Sequence, residues 1–152
     1  MEEVDMRKRS IDYLLAIYRL SEFSYARLTD IAKASNVKPP TAAEALEKLS
    51  EDGLVERWPR RGYRLTEKGA RLVLVFIRKH RLLESFLVNE LAYDSSTACK
   101  LASEFDAYVP EEIIERLCSR LGHPNKCPHG FPIPPGSCEC SKWRVRDQGE
   151  GP

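Results

Sequence analysis

Residues 38–66 read KPPTAAEALEKLSEDGLVERWPRRGYRLT, and this stretch decides the fold because it joins a short amphipathic helix to a hairpin. Pro39 and Pro40 suit the first turn of a helix, where a missing N–H has no partner to lose. Apolar side chains then recur at helical spacing up to Leu49, and Gly53 closes the helix. The remainder predicts two short strands around the turn PRRG.

Two further helices are predicted upstream of this stretch. Residues 4–21 carry apolar side chains at helical spacing, and residues 25–37, YARLTDIAKASNV, predict a short helix that ends at Asn36. Two short helices joined by a tight turn and followed by a hairpin are typical of a winged helix-turn-helix. Residues 1–72 are therefore predicted to form a winged-helix DNA-binding domain.

The rest of the chain is also predicted to be helical. One long helix spans Thr66–Leu91, and a second covers residues 95–109, capped by Asp94 or Ser95. A third has Pro110 in its first turn and ends at Gly122. The following tail has too many prolines and glycines for a helix and too little apolar surface for a core. The predicted fold class is mainly α, with a winged helix-turn-helix, a second helical domain and an irregular Cys/Pro-rich tail.

Composition limits the classes of function. The 152 residues are 42% hydrophobic, enough for a core, and the net charge is only +1, so a nucleic-acid surface must be a local patch. No apolar run approaches the roughly 18 residues of a membrane span, and the charged N-terminus lacks an apolar signal core. We expect a cytoplasmic protein without a membrane partner, whose five cysteines stay reduced.

Several blocks of the chain form a recognisable series: DYLLAIYRL, ARLTDIAKASNVKPPTAAEALEKLSEDGLVE, RGYRLTEKGARLV, RKHRLLESFLVNEL and LGHPNKCPHGFPIP. The series covers about residues 10–134 and resembles the diphtheria-toxin-repressor family of iron- or manganese-dependent transcriptional repressors. The resemblance implies that residues 73–140 form a helical dimerisation and metal-sensing domain. Residues 141–152 are predicted from their composition to be a flexible tail. Larger members add an SH3-like domain, which we expect this chain to be too short to hold.

The function implied by the resemblance is a metal-responsive transcriptional regulator, a repressor that binds double-stranded operator DNA as a homodimer. An enzyme is not expected, because the chain has no H-E-x-x-H, no C-x-x-C and no glycine-rich phosphate loop. A winged helix can instead bind protein, which remains an alternative use of this surface.

Predicted DNA contacts cluster at the start of the second short helix and on the hairpin. A recognition helix puts its N-terminal residues nearest the bases, and the prolines and Thr41 suit thymine methyl groups. Residues 57–64 hold four arginines and no acid, so the hairpin can grip phosphates. The predicted DNA-binding residues are Arg27, Lys38, Pro39, Pro40, Thr41, Glu44, Lys48, Arg60, Arg61 and Arg64.

A metal site is predicted on the long helix. His80 and Glu84 are spaced i, i+4 and share a face, and an imidazole with a carboxylate forms half of a transition-metal site. The resemblance puts metal ligands at both positions and a third at Cys99, where many members have histidine. We therefore predict a divalent transition metal, namely iron, manganese or zinc, at these three residues.

The second site that the resemblance implies is damaged. Asp12 and Asp106 match ligand positions, but Ser103 replaces a cysteine or carboxylate, and Ala107 replaces a histidine. Two carboxylates alone would hold only a weakly bound hard cation. Either sensing has moved to the His80 site or the signal is no longer iron or manganese.

The tail contains a second group of candidate ligands, namely His123, Cys127, His129, Cys138 and Cys140. Four of these can build a tetrahedral zinc site, and an iron–sulfur cluster is a further reading. The resemblance accounts for the first cysteine and its neighbouring histidine without metal, but not for the last two cysteines. The alternative function is a redox- or iron–sulfur-sensing DNA-binding regulator with a degenerate divalent site. Cys118 is predicted to fill the core.

Overall fold

The computed structural model describes residues 8–21 and 24–138, which form a mainly helical protein with one small sheet. Its elements are α1 (Lys8–Leu20), α2 (Leu28–Ala34), α3 (Pro39–Glu51), β1 (Val55–Trp58), β2 (Gly62–Leu65), α4 (Glu67–Asn89), α5 (Ser95–Phe105), a 3₁₀ turn (Asp106–Tyr108) and α6 (Glu111–Arg120). The chain separates into two compact units, one up to Val73 and one from Leu74, so the boundary falls inside α4. In the described part of the chain, no helix has the length and apolar character required to span a bilayer.

The helix-turn-helix of the first unit is set by the turn between α2 and α3. Asn36 has a left-handed backbone with φ of 53°, which asparagine tolerates better than most residues. Lys38 then lies extended as the N-cap of α3, and Pro39 begins that helix as its composition predicts. The two helices bury Ile31 and Leu46 in the core of the unit. The predicted winged helix-turn-helix fold is confirmed.

The hairpin is held by the pairing of its two strands and by backbone hydrogen bonds from Ala26 to the free edge of β2. β1 and β2 pair antiparallel from Val55↔Leu65 to Trp58↔Gly62, leaving a three-residue loop. Ala26 continues the ladder on the other edge of β2, with both backbone bonds to Tyr63 at 2.8 Å. A Cβ at Gly62 would overlap the Ala26 carbonyl, so this close approach requires glycine.

The core of the second unit is apolar and includes part of the tail. Its buried members are Leu82, Leu83, Leu87, Ala98, Ala102, Ile114, Cys118, Cys127 and Ile133. The prediction that the tail has too little apolar surface for a core was therefore wrong for the segment up to Cys138. Periodicity misses it because the segment has no regular secondary structure, and single side chains such as Ile133 enter the core from a loop.

The helix α5 begins as predicted and ends early. The carboxylate of Asp94 accepts a hydrogen bond from the Thr97 N–H at 3.0 Å, as an N-cap does. The helix stops at Phe105 and gives way to the 3₁₀ turn, four residues before the predicted end at 109. Val109 is extended, because the ring of the following Pro110 disfavours the helical conformation. Pro110 is the N-cap of α6 and not a residue of its first turn.

Some predictions fall outside the described residues. These are the start of the first helix at residues 4–7, Cys140 as a ligand, and the flexible tail at 141–152.

Candidate metal centre and nucleic-acid interface

His80 and Glu84 of α4 and Cys99 of α5 lie close together, and these three residues are here called the helix cluster. The Cys99 Sγ lies 3.5 Å from the His80 Nε2, which lies 3.8 Å from the Glu84 Oε2. All three candidate ligand atoms lie within 4.8 Å of one another. Bonds of about 2.0–2.3 Å to a tetrahedral zinc ion put its ligand atoms roughly 3.3–3.8 Å apart. The three side chains therefore fit a divalent transition metal.

Asp106 contacts the His80 imidazole at Nδ1, whereas Cys99 and Glu84 lie near Nε2. The Asp106 Oδ2 lies 3.0 Å from the His80 Nδ1, on the opposite side of the ring from Cys99. A neutral imidazole that donates from Nδ1 presents Nε2 as an acceptor, the form that a metal requires. Asp106 was predicted as a ligand, whereas here it lies in the 3₁₀ turn after α5 and contacts the ring of a candidate ligand, His80.

Glu84 is buried, with only 2% of its surface exposed, and it is shared by a second group. Its Oε1 is hydrogen-bonded to the His129 Nδ1, and Cys127 completes a set of three ligand atoms within 4.8 Å. The sequence predicts that Cys127 and His129 belong with the other candidate ligands of the tail. The structure brings them to α4, a long-range contact that no spacing rule predicts.

Cys118, His123 and Cys138, here called the tail cluster, form the third group. The His123 Nδ1 lies 3.7 Å from the Cys118 Sγ and 3.3 Å from the Cys138 Sγ. Cys118 is fully buried in the core, as predicted, but its sulfur also faces a candidate metal ligand. The i, i+5 spacing of Cys118 and His123 across a helix end was the signal that could have identified the pair.

Of the residues predicted for the damaged second site, Ser103 lies on α5 and Asp12 lies on α1. Ser103 donates its hydroxyl to the Cys99 carbonyl oxygen at 3.0 Å, so it supports its own helix. Asp12 is exposed on α1 in the first unit, and its role as a ligand stays a prediction.

The N-terminal end of α3 presents an exposed polar surface opposite its buried stripe. Ala42, Leu46 and Leu49 are buried against the core of the first unit. The exposed residues of this surface are Lys38, Pro39, Pro40, Thr41, Glu44 and Lys48. Pro39 and Pro40 at the start of α3 have no N–H, and the Thr41 N–H donates to the Lys38 carbonyl oxygen, so we expect side chains such as Lys38 to supply the phosphate contacts at this end.

The hairpin carries two exposed arginines in its loop and one arginine on β2 that contacts other side chains. Arg60 and Arg61 are exposed in the loop, where Arg60 has a left-handed backbone with φ of 65°. Arg64 is instead held at the strand, because it pairs with Glu56 and lies over the rings of Tyr25 and Trp58. The hydrogen bond to Glu56 raises the pKa of the Arg64 guanidinium. The loop arginines therefore suit mobile phosphate contacts better than Arg64 does.

Family models match both units. Residues 5–63 match the iron dependent repressor N-terminal DNA binding domain, and residues 66–135 match the iron dependent repressor metal binding and dimerisation domain.

Curated relatives agree with these matches. An uncharacterised HTH-type transcriptional regulator of Aeropyrum pernix is 33% identical over 132 residues, which cover 85% of this chain and 73% of that protein. The iron-dependent repressor IdeR of Mycobacterium tuberculosis is 32% identical over 123 residues, covering 80% of this chain. The chain spans 54% of the length of that repressor.

Solved structures show the same architecture. The hypothetical protein SSo2273 from Sulfolobus solfataricus superposes with a TM-score of 0.77 at 37% identity, covering 86% of this chain and 100% of that chain. ScaR with bound Zn²⁺ has a TM-score of 0.75 at 36% identity, covering 83% and 59%. The chain therefore belongs to the iron-dependent repressor family, that of the diphtheria toxin repressor, whose members are transcriptional regulators and not enzymes.

Proposed function

We propose that the protein represses transcription by binding operator DNA as a homodimer, with an affinity set by a divalent metal at the helix cluster. The observation that carries this proposal is the convergence of His80, Glu84 and Cys99, with Asp106 hydrogen-bonded to the far side of the imidazole. A ligand histidine oriented by a carboxylate is the usual arrangement of a protein metal site.

The ligand types favour iron(II) or zinc over manganese. Cys99 contributes a thiolate, a soft donor that suits zinc and iron, whereas manganese prefers carboxylates and other oxygen ligands. The buried Glu84 offers one oxygen to the cluster while His129 holds the other. His129 then acts as a positioning residue, because it fixes the orientation of a carboxylate that must face the metal.

DNA recognition is assigned to α3 and the hairpin loop. The exposed N-terminal residues of α3, from Lys38 to Thr41, would enter the major groove, while Arg60 and Arg61 contact phosphates or the minor groove. The few phosphate contacts of one chain would give weak, salt-sensitive binding. Two chains that read two half-sites supply the missing affinity, so a homodimer is the expected DNA-binding form.

Metal and DNA binding are coupled if the metal binds more tightly to the DNA-competent state of the protein. Linkage then requires the operator to raise metal affinity by the same factor as metal raises operator affinity. This reciprocity makes the coupling measurable from either side.

The test is operator binding by fluorescence anisotropy, with the protein titrated into its own promoter DNA. Metal-loaded protein should bind at least about tenfold tighter than chelator-treated protein, a difference of about 1.4 kcal/mol. His80→Ala should bind DNA equally with and without metal, because it removes a central ligand. Glu90→Gln, an exposed change at the end of the same helix, is the matched control. A metal response that persists in His80→Ala would refute the assignment of the site.

A further inference from the structure

We propose that Cys118, His123 and Cys138 bind a zinc ion that fastens the segment after α6 to the end of that helix. This tail cluster shares no residue with the helix cluster or with the group around Glu84. Its three ligand atoms lie within 4.8 Å of one another, and both sulfur–nitrogen distances, 3.7 and 3.3 Å, are close to the edges of a tetrahedral zinc site.

The turn that ends α6 brings two of the ligands together. Gly122 has φ of 74°, the His123 N–H donates to the Cys118 carbonyl at 2.9 Å, and the Gly122 N–H donates to the Ser119 carbonyl at 3.1 Å. These two bonds define a Schellman motif, in which the residue after the glycine folds back over the last turn of the helix. The motif therefore sets the imidazole of His123 over the thiol of Cys118.

The same motif ends α2 and α3, and there the corresponding side chains are apolar. In α3 the Leu54 N–H donates to the Leu49 carbonyl, and both side chains are buried. In α2 the equivalent pair is Val37 and Ala32. An apolar contact at these positions is the usual accompaniment of the motif. A thiol and an imidazole at the end of α6 replace that contact with a pair of metal ligands.

The third ligand is placed by a buried ion pair. Arg78, 3% exposed, donates to both carboxylate oxygens of Glu115 at 3.1 and 3.0 Å and to the Pro134 carbonyl at 2.9 Å. The Cys138 N–H donates to the same carboxylate at 2.5 Å. A Cβ at Gly136 would overlap this ion pair, so the chain passes directly against it. Protein contacts thus hold Cys138 beside His123, which lowers the entropy lost when metal binds.

Zinc binds cysteine as the thiolate, and an arginine lies beside one of the two cysteines. Burial lowers the pKa of the Arg78 guanidinium, but hydrogen bonds to Glu115 and to the Cys118 sulfur outweigh this and raise it, so Arg78 stays a cation. Two thiolates and one imidazole select zinc over magnesium, calcium or manganese.

A zinc ion here would close the loop between His123 and Cys138, which contains Cys127 and His129. The loop is rich in proline and glycine and contains little regular structure, so a metal can supply the order that its backbone pairing lacks. By holding this loop, the ion would also keep His129 against Glu84. The tail cluster is thus a structural site, and metal uptake there releases the protons of neutral thiols.

The experiment measures zinc bound by the reduced full-length chain after it is stripped, reloaded with zinc and passed through a desalting column. Cys138→Ser should retain one zinc per chain fewer than the parent, because it removes a partly exposed ligand without opening the core. Ser137→Ala, at the exposed neighbouring position, should retain the same zinc content as the parent. Equal zinc content in Cys138→Ser and Ser137→Ala would overturn the proposal.

A second variant locates the ion and separates this proposal from the proposed function. Glu84→Gln removes the carboxylate common to the other two groups, so the zinc that this variant still binds should lie in the tail cluster. Adding Cys138→Ser to Glu84→Gln should remove that zinc. Cobalt(II) loaded in place of zinc should show thiolate charge-transfer absorption in Glu84→Gln and lose it in the double variant. Thiolate absorption of equal strength in Glu84→Gln and in the double variant would contradict the site, whatever the operator-binding assay gives for His80→Ala.

Discussion

The helix cluster and the tail cluster differ in the elements that carry their ligands and in the atoms that these ligands offer. The helix cluster takes one nitrogen, one oxygen and one sulfur from the faces of α4 and α5. The tail cluster takes two sulfurs and one nitrogen from the end of α6 and the segment that follows. Mixed donors suit reversible binding of a borderline metal, whereas thiolate-rich sets are typical of structural zinc.

The comparison also separates two ways of positioning a ligand. In the helix cluster, rigid helices and a carboxylate behind His80 set the geometry before any metal binds. In the tail cluster, the turn that ends α6 positions His123, and the ion pair between Arg78 and Glu115 positions Cys138 in the loop. Substitution of Asp106 should affect only the helix cluster, and substitution of Arg78 should affect only the tail cluster. The two variants therefore test whether the clusters have separate roles.

The largest effect is expected from Arg78→Met. The change leaves the Glu115 carboxylate without its buried cation, and breaking a buried ion pair from one side costs about 3–5 kcal/mol. Chemical denaturation of the metal-free chain measures the loss of unfolding free energy. Arg81→Met is the control, since Arg81 is a half-buried arginine that bonds the Pro132 carbonyl and lies over Phe131. An equal loss of unfolding free energy in both variants would show that Arg78 stabilises the protein no more than a half-buried arginine does.

Asp106→Asn should have the next largest effect, and only on the helix cluster. The change weakens the hydrogen bond that orients His80, and loss of such a supporting carboxylate typically lowers metal affinity about 10- to 100-fold. Competition with a coloured chelator measures the affinity, while the zinc held by the tail cluster should be unchanged. Glu104→Gln, an exposed change on α5, is the control. Unchanged affinity in Asp106→Asn would mean that Asp106 does not support the metal site.

The smallest effect is expected from Asp94→Ala, at the start of the helix that carries Cys99. The side-chain hydrogen bond to Thr97, and then the backbone bond to the same residue, lower the pKa of Asp94. Its stabilisation is therefore fully present above the unfolded pKa and is lost as pH falls through the folded one. Thermal unfolding should show a slightly lower midpoint for Asp94→Ala at neutral pH. The difference should shrink in acid, and a difference that grows in acid would contradict this role.

The proximity of His80 and Glu84 could be predicted from the sequence because that information is local. His80 and Glu84 lie one turn apart, and their shared face follows from helical geometry alone. Cys99 required the family resemblance, since periodicity does not say which face of α5 meets α4. The prediction for Asp106 assumed one continuous helix, but α5 ends at Phe105 and the carboxylate reaches the far side of the imidazole.

The tail was predicted less well because its contacts are long-range and irregular. The sequence predicted one group of five cysteines and histidines in the tail. In the structure, Cys127 and His129 lie with Glu84, whereas His123 and Cys138 lie with Cys118. An iron–sulfur cluster, which takes about four cysteine ligands, is not supported, because within 8–21 and 24–138 no group has more than two cysteines. The two relatives reported above whose names refer to a metal are an iron-dependent repressor and ScaR with bound Zn²⁺.

The sequence by itself determined the winged helix-turn-helix, the order of the later helices and the family, because periodicity, caps and turn residues act over a few positions. Only the tertiary structure decided which ligands meet, because Glu84 and His129 lie 45 residues apart and Cys118 and Cys138 lie 20 apart. Such pairs are set by how α4, α6 and the tail pack around one core, and by a buried ion pair that no local pattern encodes.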